Sequence, residues 1–334
     1  MTKQETQTLK GVAALMIIWC HIFYTSAVVE HCHDIYIYRQ PLAGILNNAV
    51  VPVEIFLILG GYGLYFVYRR GHDKNKYARI LKLFIHVWVV MLAFVPLAHY
   101  LADGSTYPGS ATDIFNNVTT LYPDWNTSYW FLLPYALISL SSKHLFRLAD
   151  KCRWWMVLGV TALCYVVAYA LRGKYAEGTM YICANGWISL PVNIMFMLFP
   201  FSLGYLLCKH EDLWGRVKMS KGLALVLLIS VITAKCILPI KYFLGVYALL
   251  LILFYLKCPK VWLVEKTLQY LGKHSLNIWL LHGWFCIYLF SDFYYGFKYP
   301  PLILAMIVGS CLACSYVVDW ICKPITEMLN KTNK

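Results

Sequence analysis

The sequence predicts an all-α integral membrane protein of about ten transmembrane helices, with the N- and C-termini cytoplasmic. Three observations predict it. Hydrophobic residues make up 60% of the chain and charged residues 13%, with a mean hydropathy of +0.59. A soluble chain of 334 residues has no way to hide so much apolar surface, so part of it must face lipid. The apolar residues gather into runs of the length that crosses a hydrocarbon layer of ~30 Å, about 20 residues each. The cations fall between the runs, and under strict alternation most of them fall on one side.

Taken in order, the runs lie near 9–29, 43–66, 81–101, 128–142, 154–171, 187–208, 221–239, 242–257, 268–290 and 301–322. The first lacks a small-residue cleavage site and reads as a retained helix rather than a signal peptide. The fourth and eighth are short. Only Ile240 and Lys241 separate the seventh from the eighth, which makes a tight hairpin. With the N-terminus inside, the inner segments hold 23 of the 29 Lys and Arg. Arg39, Arg172, Lys174, Lys235, Lys241 and Lys298 are left outside. That asymmetry supports both the number of runs and the orientation. It also reassigns the net charge of +13, which in a soluble protein would point to nucleic acid, to topology, and no nucleic-acid partner is expected. No polar tail, low-complexity tract or repeat interrupts the pattern, so residues 1–334 read as a single transmembrane domain.

Of the twelve cysteines, most, such as Cys20, Cys164, Cys208, Cys311 and Cys314, sit inside apolar runs as small hydrophobes. Cys32 and Cys183 fall in outer loops, and spacing gives no support for pairing them. His31, Cys32, His33 and Asp34 are metal-ligand types, but adjacent residues rarely converge on one ion, and no metal is expected. The longest outer loop, 102–127, has no Lys or Arg and is rich in Gly, Asn, Asp, Thr and aromatic residues such as Tyr107, Tyr122 and Trp125. Such a surface suits hydroxyl-bearing ligands, and equally an ordinary lid. Asn117 and Asn126 match the glycosylation acceptor pattern on that side, and Asn330 matches it on the inner side, where it means nothing.

Four polar elements are costly enough to need a reason. Lys10 and His21 are eleven residues apart, so at ~100° per residue they share one helix face, with a rise of about 16 Å between them. That puts Lys10 at the inner surface and His21 near mid-depth, where an ionisable group is a functional candidate or a hydrogen bond to a neighbouring helix. Glu54, in the second run, reaches a similar depth. A carboxylate beside an imidazole can fix its tautomer and raise its basicity, or it can be a protonated structural group. The inner segment after that run holds Arg69, Arg70, Lys74, Lys76, Arg79 and Lys82. Arg79 and Lys82 stand one turn apart, placed to grip phosphates or anionic lipid headgroups. The fourth element is His282, in the ninth run, with Lys273 and His274 at its inner end.

In this order the pieces resemble the membrane-bound acyltransferase family 3, whose members O-acetylate polysaccharides and related glycans. The family opens with a basic residue, ten intervening positions and a histidine, as in Lys10 and His21. Its second helix reads "GVDIFFVISGFLI", which Val53, Glu54, Ile55, Phe56 and their neighbours follow, with Gly60 where Ser is usual. Its "RxxR" motif before the third helix is matched by Arg79 and Lys82, its "WFL" by Trp130, Phe131 and Leu132, and its "LGxxSLxIYLxH" by Leu271 to His282. The resemblance covers residues from about 8 to 290 and implies ten helices. The chain ends soon after the tenth run, so the extracellular hydrolase-like domain of some members is not expected, and transfer would finish in the membrane domain or on a partner.

The resemblance implies an O-acetyltransferase of the cell membrane, bacterial by the nature of such glycans. The donor is acyl-CoA, acetyl-CoA above all, held from the cytoplasmic side by Arg79 and Lys82, with Lys10 at the inner mouth. His21, oriented by Glu54, serves as general base or as transient acyl carrier. Trp130 and His282 are further candidates. The partners are membrane lipid, a glycan or lipid-linked sugar acceptor, and glycan-assembly proteins. Buried His and Glu also describe a proton-coupled transporter, although half-repeats and broken-helix pairs are not evident. A flippase in glycan assembly needs no acyl-CoA at all.

Overall fold

A lipid-facing backbone has to satisfy its own polar groups, and apart from one short hairpin the described elements are helical. The computed structural model describes residues 1–23, 32–71, 76–102, 104, 106–175, 186–238 and 240–331. Helix α1 (Lys3–Ile22) begins six residues ahead of the first apolar run. A capping box starts it: the Thr2 hydroxyl accepts from the Glu5 N–H, and the Glu5 carboxylate accepts from the Thr2 N–H. It closes at Ile22, with the Phe23 N–H donating to the Trp19 carbonyl. The rest of the expected 9–29 run, from residue 24, lies outside the described residues, as do His31 and Cys183.

The second run is not one helix. After the hairpin of β1 (Tyr36–Ile37) and β2 (Gln40–Pro41) comes α2 (Leu42–Asn47), then a break, then α3 (Pro52–Arg69). Proline at the first helical position restarts the helix at no hydrogen-bonding cost, because that N–H has no intrahelical acceptor anyway. Glu54 therefore stands in the first turn of a helix, not in its middle. Asp34, one of the metal-ligand types, is spent on the hairpin, where its carboxylate accepts from the N–H groups of Ile35 and Ala43.

Helix α4 (Lys76–Leu101) is followed by α5 (Ala111–Thr119) within the expected 102–127 loop. Ser110 and Asp113 form the capping box that nucleates α5, and the Ser110 hydroxyl and N–H hold the Asp113 carboxyl below its usual pKa. A 3-10 turn (Thr127–Phe131) leads into α6 (Leu132–Lys151), which runs well past the expected end at 142. Helices α7 (Trp154–Tyr175), α8 (Gly186–Lys209), the short α9 (Glu211–Arg216), α10 (Lys221–Ile237) and α11 (Leu244–Lys257) follow the expected order. The ninth run divides. Amphipathic α12 (Trp262–Lys273) stops at His274, α13 (Ser275–Gly283) passes into a π turn (Trp284–Tyr288), and α14 (Ser291–Tyr295) and α15 (Pro300–Lys331) close the chain. Each of the ten runs contains helix. By length and apolarity, Leu42–Arg69 taken across the α2–α3 break, Lys76–Leu101, Trp154–Arg172, Gly186–Lys209 and Pro300–Leu329 are able to cross a membrane. Among the described residues, the helices of the other runs are shorter, more charged or further divided.

The chain packs as two compact units, Met1–Leu59 with Glu211–Ser315, and Gly60–His210 with Tyr316–Lys334. In the first, α1 lies against α12 at backbone contact. A Cβ on Gly11 would stand 2.1 Å from the Leu268 carbonyl oxygen, and one on Gly272 1.8 Å from that of Gln7. Thr8 adds a hydrogen bond to Glu265 at 3.1 Å. In the second, α8 is the buried helix and α7 the one whose apolar face is left for lipid. Gly61 meets α8 in the same close manner, with the Phe201 carbonyl oxygen 2.1 Å from where its Cβ would be.

Candidate active site

The first unit brings two imidazoles together at helix ends. His21 occupies the last turn of α1, and His282 is the last residue but one of α13. Their ring centroids are 4.9 Å apart with planes inclined at 51°. His282 is wholly buried. Its Nδ1 lies 2.6 Å from the Trp279 carbonyl, so Nδ1 carries the proton that is donated and Nε2 is left as the basic nitrogen. That Nε2 is buried and has no hydrogen-bond partner among the described residues. The π turn begins two residues later, a widening of the helix that recurs at functional sites. The Tyr295 hydroxyl lies 3.4 Å from the Ile22 carbonyl and 3.3 Å from that of Cys286, tying the end of α1 to the π turn.

Glu54 belongs to the same unit and is 3% exposed. A helix N-terminus favours a carboxylate, which offsets part of the cost of burying one. Glu54 lies within electrostatic reach of Cys20, the neighbour of His21, and of Lys235. The break that creates this N-terminus is stitched in place. Lys235 Nζ donates to the Asn48 carbonyl at 2.6 Å, and the Tyr247 hydroxyl donates to the Ala49 carbonyl at 3.0 Å. Lys235, assigned on sequence to the outer minority of cations, thus serves the α2–α3 break. Lys10 is partly buried on α1, three turns before His21.

Arg79, Lys82 and Trp130 belong to the second unit. Arg79 and Lys82 lie in the first turns of α4, and Arg79 Nη2 is buried with no hydrogen-bond partner among the described residues. The Tyr135 ring is within electrostatic reach of Arg79 and covers Gly60, whose Cβ would be 3.1 Å from it. That crowding accounts for glycine at a position where Ser is usual. Trp130 is in the 3-10 turn, with the Arg172 guanidinium 5.4 Å from its ring. Arg172, 7% exposed, donates to Asn193 Oδ1 at 2.5 Å and lies over the Phe196 ring at 3.8 Å. Asn117 and Asn126 are fully buried, so neither side chain is presented for glycosylation. Asn117 instead donates to the Asp113 carbonyl and accepts from the Trp125 N–H.

Sequence reasoning did not single out Arg172, Asn193, Tyr135 or Asp150. The last gathers Tyr65, Tyr205 and Lys209 on one oxygen at 3.1, 2.9 and 2.9 Å. Arg172 did carry a signal, being one of the six cations that the charge pattern of the sequence assigns to the outer side.

A helical chain with spans long and apolar enough for a bilayer, and with paired imidazoles buried at helix ends, defines a membrane protein equipped for acid–base or group-transfer chemistry. The model of acyltransferase family 3, described as an acyltransferase domain, matches residues 6–320. The chain belongs to that family, and it is a membrane acyltransferase. No curated protein and no solved structure matches it.

Proposed function

We propose that the chain transfers an acyl group, acetyl in the first instance, from cytoplasmic acyl-CoA to a hydroxyl of an extracytoplasmic or lipid-linked glycan in the cell membrane. The observation that carries this reading is the His21–His282 pair, in a chain whose family performs acyl transfer. His21 either takes the proton of the acceptor hydroxyl as its oxygen attacks the thioester carbonyl, or takes the acyl group first and passes it on. In both routes the carbon–sulfur bond breaks, CoA leaves as the thiol, and the ester oxygen comes from the acceptor. His282, with Nε2 as its basic nitrogen, offers a second base beside the first. Glu54 orients His21 and stabilises its charged form. Arg79 and Lys82 take the phosphates of the donor, and Lys10 supplies positive charge at the inner end of α1.

The test is release of CoA thiol from acetyl-CoA by purified protein supplied with glycan. His21→Ala should abolish it while membrane insertion is kept, because removing an imidazole makes insertion easier. Glu54→Gln should be severely impaired. Near-normal transfer by well-expressed His21→Ala would end this mechanism, and full activity of Glu54→Gln would make Glu54 a structural group.

A further inference from the structure

Within the first unit, His274 stands at the joint between α12 and α13 and serves both helices. Its N–H donates to the Leu271 carbonyl at 3.1 Å, and its own carbonyl accepts from the Ile278 N–H at 2.9 Å. Its ring packs edge-on against Tyr270, with centroids 5.1 Å apart. Ser315, on α15, reaches this joint from the side. Ser315 is wholly buried and Asn277 is 3% exposed. Asn277 Nδ2 donates to the Ser315 carbonyl at 3.3 Å and to its Oγ at 2.9 Å, and His274 Nδ1 lies 2.9 Å from the same Oγ. A backbone carbonyl only accepts, so the amide nitrogen of Asn277, and not its oxygen, faces Ser315. The serine oxygen therefore accepts from Asn277 and keeps its own proton to give. Among the described residues, His274 Nδ1 is the acceptor within its reach. That leaves the ring proton of His274 on Nε2.

We propose that Ser315 is a positioning residue for the His21–His282 pair. Through His274 and Asn277 it fixes the angle at which α13 leaves α12, and with it the place of the His282 ring. The other side of the pair is already fixed, because α12 is held on α1 at Gly11 and Gly272, and α1 carries His21. His282 is eight residues beyond the joint, about 12 Å along the helix. Over that length a change of about 5° at the joint displaces the ring by about 1 Å. A misplacement of that size costs a reaction up to ~100-fold. Apolar contacts along α13 are non-directional and resist such a tilt weakly. Buried hydrogen bonds resist it strongly, since a tilt that breaks one leaves its donor or acceptor without water to replace the partner. The inference rests on the acyl-transfer reading for what the imidazole pair does, and not for how the pair is held.

The test uses the purified full chain in detergent, with two readouts: CoA release from acetyl-CoA in the presence of glycan, and amide hydrogen exchange. Ser315→Ala should lower kcat by about ten-fold or more while the KM for acetyl-CoA stays within about two-fold. Exchange should speed up across 275–288 and stay at the parent's rate in α8, which belongs to the other unit. His274→Leu should behave in the same way. His274→Asn, whose amide oxygen stands in for Nδ1, should stay within about three-fold of the parent. Because Ser315 and His274 act as one linkage, the double variant Ser315→Ala/His274→Leu should lose no more than the worse single variant. An unchanged kcat in Ser315→Ala, a loss carried by KM, losses that multiply in the double variant, or unaltered exchange across 275–288 overturns the proposal. If Ser315→Ala proves unstable, His274→Asn against His274→Leu decides on the same readouts. A parent chain that releases no CoA would sink the acyl-transfer reading instead, and the hold on α13 would then stand or fall on hydrogen exchange alone.

Discussion

Arg79 is the residue on which the donor side of the reading turns. Its Nη2 is buried and without a partner among the described residues, a state that costs free energy and that a phosphate would relieve. The CoA moiety carries a 3′-phosphate and a pyrophosphate, which Arg holds by paired hydrogen bonds and Lys holds as a point charge. Arg79→Ala should therefore raise the KM for acyl-CoA by the loss of one or two charge-assisted bonds, about 1.5–3 kcal/mol each, or roughly ten-fold and more. Lys82→Arg should be tolerated, since it restores the pattern of the family. If the cluster serves only to attract anionic lipid, single substitutions would each cost about 1 kcal/mol of that attraction and leave the donor KM alone. A CoA-release titration at constant anionic lipid separates the two. Thr120 makes the complementary prediction. Thr120 ends α5 in a left-handed conformation at φ +56°, so Thr120→Gly removes strain of about 1–2 kcal/mol and should raise the thermal midpoint.

At the scale of elements, the contact of α1 with α12 holds the His21-bearing helix in place. With carbonyl oxygens 1.8–2.1 Å from any added Cβ, neither Gly11 nor Gly272 has room for a methyl group. Gly272→Ala should lower stability by about 1–3 kcal/mol, seen as a reduced thermal midpoint in detergent, and should reduce activity without touching a reacting group. A midpoint equal to the parent's would mean that α12 shifts freely on α1. The elements were largely legible in the sequence, because apolar runs of membrane length admit few alternatives. Their interruptions were not. The α2–α3 break depends on Lys235 and Tyr247, which lie nearly two hundred residues further along the chain. The π turn after His282 has no local sequence mark, since its apolar residues read as a continuous helix. The pairing of His21 with His282 escaped for the same reason: each looks like a lone buried imidazole, and only tertiary packing puts them at 4.9 Å. Buried Asn117 shows the opposite error, a surface motif whose side chain is enclosed by its own loop.

For the whole molecule the open quantity is orientation, and the argument for it is energetic. Moving a Lys or Arg across the bilayer is costly, and the membrane potential and anionic inner leaflet both favour leaving such residues on the cytoplasmic side. With 23 of 29 cations in alternate segments, reversing the chain would carry that whole majority outward. The segment before α4 should therefore be cytoplasmic and the α4–α6 connection external. Cysteines introduced at exposed positions report on this directly. Ala111→Cys, at the start of α5, should react with a membrane-impermeant maleimide in intact cells, above the background of the parent chain. Tyr77→Cys, 68% exposed beside Arg79, should react only after permeabilisation. The reverse pattern would place the Arg79 and Lys82 cluster on the side that holds no acyl-CoA. The donor assignment would then fall, even if His21 and His282 remained essential.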